Sequence, residues 1–257
     1  MNFRPDSELV DRVHPAANIE PRRDGARPRL VILHYTGMKS AEKAIDWLAR
    51  AESNVSCHYV VDEKGQTTQL VREKLRAWHA GVSYWRGETD INSHSIGIEI
   101  HNPGHSDGYP DFPRRQITSV IALTRDIAQR HRIEPDGILA HSDVAIGRKI
   151  DPGEKFPWGV LARHGVGQWV RPSPVRSDDC VYESGAKAAA IADAQALLRA
   201  YGYAVTVTGE LDEATGKAIT AFQRHFRPRR VDGRLDSSTI KTLRRLVASL
   251  GHGRWVA

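Results

Sequence analysis

The sequence predicts an α/β fold, a mixed central sheet flanked by helices, followed by a small all-α C-terminal domain. Three observations carry this. Short apolar runs of strand length alternate with segments of helical spacing up to about Leu161. A stretch of Gly, Pro, Ser and charge without periodicity follows. Three apolar stripes at helical spacing then close the chain. The boundaries expected from this are a mixed domain over 1–162, a linker over 163–185 and a three-helix domain over 186–250.

Taken in order, the segment up to about Arg27 is rich in Pro, Arg and Asp and reads as an irregular lead-in. Leu30-Val31-Ile32-Leu33 reads as a buried strand that stops at His34. Ser40 to Glu52 has helical spacing through Ala44, Ile45, Trp47 and Leu48. Ser56 to Val61 and Thr67 to Val71 read as strands joined through the turn residues Asp62 to Gly65. Ser95 to His101 alternates, with Ile96, Ile98 and Ile100 facing one way and Ser95, Gly97, Glu99 and His101 the other. Arg115 to His131 is an amphipathic helix with a stripe of Ile117, Val120, Ile121, Ile127 and Ala128. Ile138-Leu139-Ala140 is a short strand that again stops at a histidine, His141. The C-terminal stripes are Ala190, Ile191, Ala194, Leu197, Leu198 and Tyr201; Thr215, Ala218, Ile219, Phe222 and Phe226; and Ile240, Leu243, Val247 and Leu250. An internal echo, GELDEAT (209–215) and GRLDSST (233–239), places in each copy a turn glycine, an apolar plug and an aspartate set to cap the next helix.

Hydrophobic residues are 40% and charged residues 26% of the 257, which excludes a disordered chain. The net charge of +6 suits an anionic partner. No block of like charge appears, and the densest basic patch, Arg227 to Arg230, is broken by Pro228, so nucleic-acid binding is not expected. Cys57 and Cys180 form no CxxC; Cys57 reads as a small buried hydrophobe and Cys180 lies in the polar linker. MNFRPDSELVDRV has no apolar core of signal-peptide length, and no segment could span a bilayer. The expected location is cytoplasmic, with the periplasm or cell envelope as the alternative should a leader precede this chain.

Twelve histidines are present, and neither HExxH nor paired CxxC motifs select among them. Placement is more informative. His34 and His141 each follow an apolar strand at its C-terminal end, and Asp151 follows His141 across the turn-prone Gly147-Arg148-Lys149. Two imidazoles and a carboxylate suit Zn²⁺ and leave a fourth position for water, which ionises near neutral pH in such sites. The same placement suits histidines that cap strands or bond backbone, and the residues alone leave both open. Glu99, opposite three isoleucines, reads either as a solvent-facing carboxylate or as a general base. Lys149 reads as a surface lysine or as a group that steadies an oxyanion. Gly104-His105-Ser106-Asp107-Gly108 matches GxSxG, but Pro110 and Pro113 deny it the helix that a nucleophile elbow needs. His101 and His105 lack helical alignment across Pro103-Gly104.

Five segments in preserved order, LHYTG (33–37), VSCHYVVD (55–62), AWHAG (77–81), SIGIEI (95–100) and AHSDVAIGRKIDPG (140–153), resemble the N-acetylmuramoyl-L-alanine amidase family. This is the zinc amidase family of phage T7 lysozyme and the peptidoglycan recognition proteins, here in its AmpD/AmiD-like branch. LLRAYGY (197–203), AITAFQ (218–223) and the two echoed turns resemble a C-terminal peptidoglycan-binding three-helix domain.

The resemblance implies Zn²⁺ on His34, His141 and Asp151, with Glu99 and Lys149 as catalytic residues. It places Tyr35, Trp78, His79 and Trp85 around the substrate groove. Where T7 lysozyme has a catalytic tyrosine before the histidine of the second strand, this chain has Cys57, so that role is absent or passes to Glu99. The implied activity is hydrolysis of the amide between N-acetylmuramic acid and L-alanine in peptidoglycan or anhydro-muropeptides, by a monomer. A non-catalytic wall receptor and a zinc endopeptidase of the stem peptide are the competing expectations.

Overall fold

The computed structural model describes residues 3–176 and 181–250. Cys180 lies outside them. The first part contains β1 (Arg12–Val13), β2 (Ile19–Pro21), β3 (Leu30–Tyr35), α1 (Ala41–Ala49), β4 (Tyr59–Val61), β5 (Thr67–Gln69), β6 (Leu75–Ala77), α2 (Ile91–His94), β7 (Ser95–Ile100), α3 (Arg114–His131), β8 (Ile138–Ala140), α4 (His141–Val144) and α5 (Trp158–Arg163). The second contains β9 (Val181–Tyr182), α6 (Ala189–Tyr201), α7 (Glu213–Phe226), β10 (Leu235–Asp236) and α8 (Ser237–Ala248). The main sheet runs β1-β5-β4-β7-β3-β8 and is parallel except between β4 and β5.

Strands buried on both faces read as continuous apolar runs, and β3 is buried from Leu30 to His34. It extends through His34 to Tyr35, because the pairing with β7 continues to Ile100. On β7 the alternation divides the labour. Ile96, Ile98 and Ile100 pack with Ile117, Val120, Ile121 and Ile127 of α3, while Ser95, Gly97 and Glu99 take the opposite face. Parallel register sets His34 beside Glu99, Ile32 beside Gly97 and Leu30 beside Ser95.

The lead-in is more ordered than the sequence suggests. β1 pairs with β5, and β2 pairs with β6 in a separate ladder. Both are too short for a period to appear in the sequence.

Below β4, Glu73 is buried and bonded by Tyr59 Oη at 2.6 Å, by His131 Nε2 at 2.7 Å and by Arg130. Burial alone would raise its carboxyl, but these donors outweigh it and hold the pKa down to about 2, against an ordinary 4.5. A group depressed in this way contributes stability that is fully present above 4.5 and is lost as pH falls toward 2. At about 1.4 kcal/mol for each pH step, that is roughly 3 kcal/mol. Urea titrations of wild type and Glu73→Gln across this window should therefore converge on acidification; parallel curves would place the acid sensitivity elsewhere.

The C-terminal helices do not hang from the sheet domain. Leu30, Ile32, Leu139, Trp85 and Ile91 form one apolar cluster with Ile191, Leu198, Tyr201, Phe222 and Phe226. The segment expected as a linker opens on the last residue of α5 and has no regular structure over 164–176, yet it is packed: Val166 and Ser173 are buried, and Trp169 lies over Phe226. The inward face of α8 is wider than the expected stripe: Leu243, and Leu250 just past the helix end, are buried with Ile240 and Val247 packed against the same cluster, and Ser238, Thr239, Thr242 and Leu246 are buried beside them. Its polar members face inward because Ser238 Oγ donates to Ser173 O and Thr242 Oγ1 accepts from Ser173 N.

The echoed turns cap as expected, with Asp212 accepting from Thr215 N at 2.7 Å and Asp236 from Thr239 N at 2.6 Å. Each turn is also held by a buried glutamine that the sequence did not advertise. Gln195 accepts from the backbone of Thr208 and Gly209, and Gln223 from Asp232 and Gly233.

Candidate metal centre and cleft

His34 ends the buried part of β3, His141 opens α4 directly after β8, and Asp151 follows the turn beyond α4. The three converge. His34 Nδ1 is 3.0 Å from His141 Nδ1 and 3.2 Å from Asp151 Oδ2, and His141 Nδ1 is 3.0 Å from Asp151 Oδ2. A tetrahedral ion with bonds of about 2.0–2.1 Å separates its ligands by roughly 3.3 Å, so the trio has the spacing of one face of such a site. The donor set fits as well. His141 Nε2 faces the carbonyl of Ala80 at 3.1 Å, which can only accept, so its Nδ1 carries the free lone pair. Burial, then the neighbouring His141, lowers the His34 pKa to about 4, leaving it neutral and able to ligate. Burial would raise Asp151, but the two imidazoles hold its carboxyl well below the usual carboxylate range.

Glu99 stands beside His34 across the β3–β7 register. Burial, reinforced by Asp151, pushes its carboxyl well up, with Lys149 pulling it partly back. Its Oε2 is buried with no hydrogen-bond partner among the described residues. A buried polar atom left unpaired at a cleft marks a place where a ligand or water is expected. These groups line a cleft of about 380 Å³ with Tyr35, Thr36, Trp47, Trp78, His79 and Lys149.

Of the groove residues expected from sequence, Tyr35, Trp78 and His79 line this cleft and Trp85 does not. Trp85 is 2% exposed, with its ring 5.6 Å from Tyr201 and 5.2 Å from Tyr203, edge to face. Gly202, at φ +142°, makes room for it, since a Cβ there would lie 2.7 Å from the indole. The apolar face shared with α6 took this tryptophan from the groove. Trp85→Ala should lower stability by roughly 3–5 kcal/mol and leave KM unchanged. A raised KM at full stability would return Trp85 to the substrate.

His79 also bonds inward, with Nδ1 3.0 Å from His34 Nε2. His101 and His105 are apart: His101 bonds Thr36, and His105 bonds Tyr35 and Glu154. Only a 3-10 turn, His105–Asp107, follows Gly104, so the GxSxG match has no elbow. Sequence reading missed Asp143, fully buried two residues beyond His141. It accepts from Ala140 N at 2.8 Å, Tyr203 Oη at 2.7 Å and His225 Nδ1 at 2.6 Å, tying α4 to the C-terminal helices.

Residues 24–154 match a family model described as N-acetylmuramoyl-L-alanine amidase, and 187–243 match one for a putative peptidoglycan binding domain. The chain is 36% identical over 228 residues to the N-acetylmuramoyl-L-alanine amidase AmiD of Escherichia coli, covering 83% of this chain and 80% of that one. It is 30% identical to the 1,6-anhydro-N-acetylmuramyl-L-alanine amidase AmpD of Enterobacter cloacae, over 58% of this chain and 88% of the relative. Among solved structures, it resembles E. coli AmiD in complex with the substrate anhydro-N-acetylmuramic acid-L-Ala-D-γ-Glu-L-Lys. The TM-score there is 0.73 at 35% identity, over 89% of this chain and 92% of that one. Pseudomonas aeruginosa AmpDh3 gives a TM-score of 0.71 at 32% identity, over 90% and 95%.

Proposed function

The chain belongs to the N-acetylmuramoyl-L-alanine amidase family, and from that premise we propose that it hydrolyses the amide between N-acetylmuramic acid and L-alanine in anhydro-muropeptides. In this reading His34, His141 and Asp151 hold a zinc ion. Bound there, zinc supplies a Lewis acid for the carbonyl oxygen and acidity to a water.

The chain's own residues do the rest. Glu99 takes the proton of the attacking water on its unpaired Oε2 and returns it to the departing alanine nitrogen. A carboxyl raised toward the working pH is suited to both transfers. Lys149, at the cleft rim, faces the carbonyl oxygen as negative charge builds on it. Tyr35, Trp47 and Trp78 give the cleft aromatic walls for the sugar and lactyl parts of the substrate.

The observation that carries this reading is the buried Glu99 Oε2, without a partner among the described residues, standing beside a converged His-His-Asp trio. The test is to incubate the purified protein with an anhydro-muropeptide and weigh the products. Release of anhydro-N-acetylmuramic acid and a stem peptide with a free alanine amine is expected. Cuts inside the peptide, or binding without products, would overturn it. The same assay on intact sacculi compares the wall with its soluble fragments.

A further inference from the structure

We propose that His79 is a positioning residue for the metal centre, setting through a hydrogen-bond relay which nitrogen of His34 faces the ligand trio. The inference rests on the metal reading above and concerns the support behind the ligands. The relay begins at a backbone carbonyl. Ser95 Oγ lies 2.7 Å from Ile91 O, which can only accept, so the hydroxyl proton is committed there. Toward His79 Nε2, at 3.1 Å, Ser95 Oγ is then an acceptor, which puts the proton of the neutral His79 ring on Nε2. His79 Nδ1 is left bare and accepts from His34 Nε2 at 3.0 Å. With Nε2 protonated, His34 can present only the lone pair of Nδ1, the atom that lies against His141 and Asp151.

The surroundings fix the ring as well as its tautomer. His79 lies flat on β7 at Gly97, where a Cβ would come within 2.6 Å of its Cγ. His58 meets it edge-on at 5.7 Å, and Gly97 N donates to His58 Nδ1. The backbone N–H groups of His79 and Ala80 both donate to Asn92 Oδ1, at 3.0 and 2.8 Å. Ala80 O is the acceptor that sets His141. Two consecutive residues of one clamped loop thus orient both imidazoles. A residue serving only as groove wall needs none of these inward bonds.

The experiment measures zinc affinity by competition with a chromophoric chelator and records the visible spectrum of the Co²⁺-substituted protein, with circular dichroism to confirm folding. His79→Leu removes the acceptor for His34 and should weaken zinc binding by roughly 10–100-fold and alter the cobalt spectrum. His79→Asn offers an amide oxygen where Nδ1 stands and should restore affinity to within a few-fold of wild type. Ser95→Ala frees the tautomer and should fall between them. Folded His79→Leu with wild-type affinity and spectrum overturns the relay. Should that variant not fold, wild-type affinity in Ser95→Ala does the same. Wild-type protein that takes up no zinc fails the metal reading itself, and the relay falls with it.

Discussion

Glu99→Ala lowers kcat by roughly 10²–10⁴-fold while the protein keeps its metal and its fold. The reason lies in where Glu99 stands. It belongs to the polar face of β7, its Cα paired with that of His34, and burial with Asp151 nearby makes its ionised form costly. Removing it takes away the proton carrier and leaves His34, His141 and Asp151 untouched. It also removes an unfavourable buried carboxyl, so the melting temperature should hold or rise. The measurement pairs steady-state kinetics on a muropeptide with metal analysis of the same sample. Retained turnover removes Glu99 from the mechanism, and lost metal reassigns it as a ligand.

Asp151→Ala produces the complementary pattern. The carboxylate is the one anionic member of the trio, bonded to both imidazoles, and two neutral rings alone form a poor site for a divalent cation. Zinc affinity should fall by more than the roughly 10–100-fold typical of a supporting residue, and activity should vanish at ordinary zinc concentrations. Dialysis followed by metal analysis reads the first effect. Chelating the wild type and adding zinc back reads the second, by loss and recovery of activity. An Asp151→Ala protein that stays active and metal-loaded would dissolve the proposed centre.

What was readable in the chain follows from what pattern can encode. The clean alternation of 95–101 held both faces of β7, because period two is a property of the sequence itself. His34 and His141 stood out because apolar runs end at them. That they meet, with an aspartate ten residues beyond the second, is a long-range fact that spacing left open and only the resemblance to a known family supplied. The resemblance sets Trp85 and His79 alike at the groove, yet one lies in the core against α6 and the other behind a ligand. Their surroundings come from segments far away in sequence, Tyr201 and Gly202 for the first, Gly97 and Ser95 for the second. The polar part of the inward face of α8 was hidden for the same reason, since Ser238 and Thr242 are buried where Ser173 bonds them.

The shared apolar cluster between sheet and C-terminal helices, with Asp143 gripped by Tyr203 and His225, makes the molecule a caliper with a locked jaw. A tethered module would search a volume around its anchor point. Here the C-terminal helices share their apolar cluster with the sheet, so any point on their surface keeps one span and one angle to the cleft.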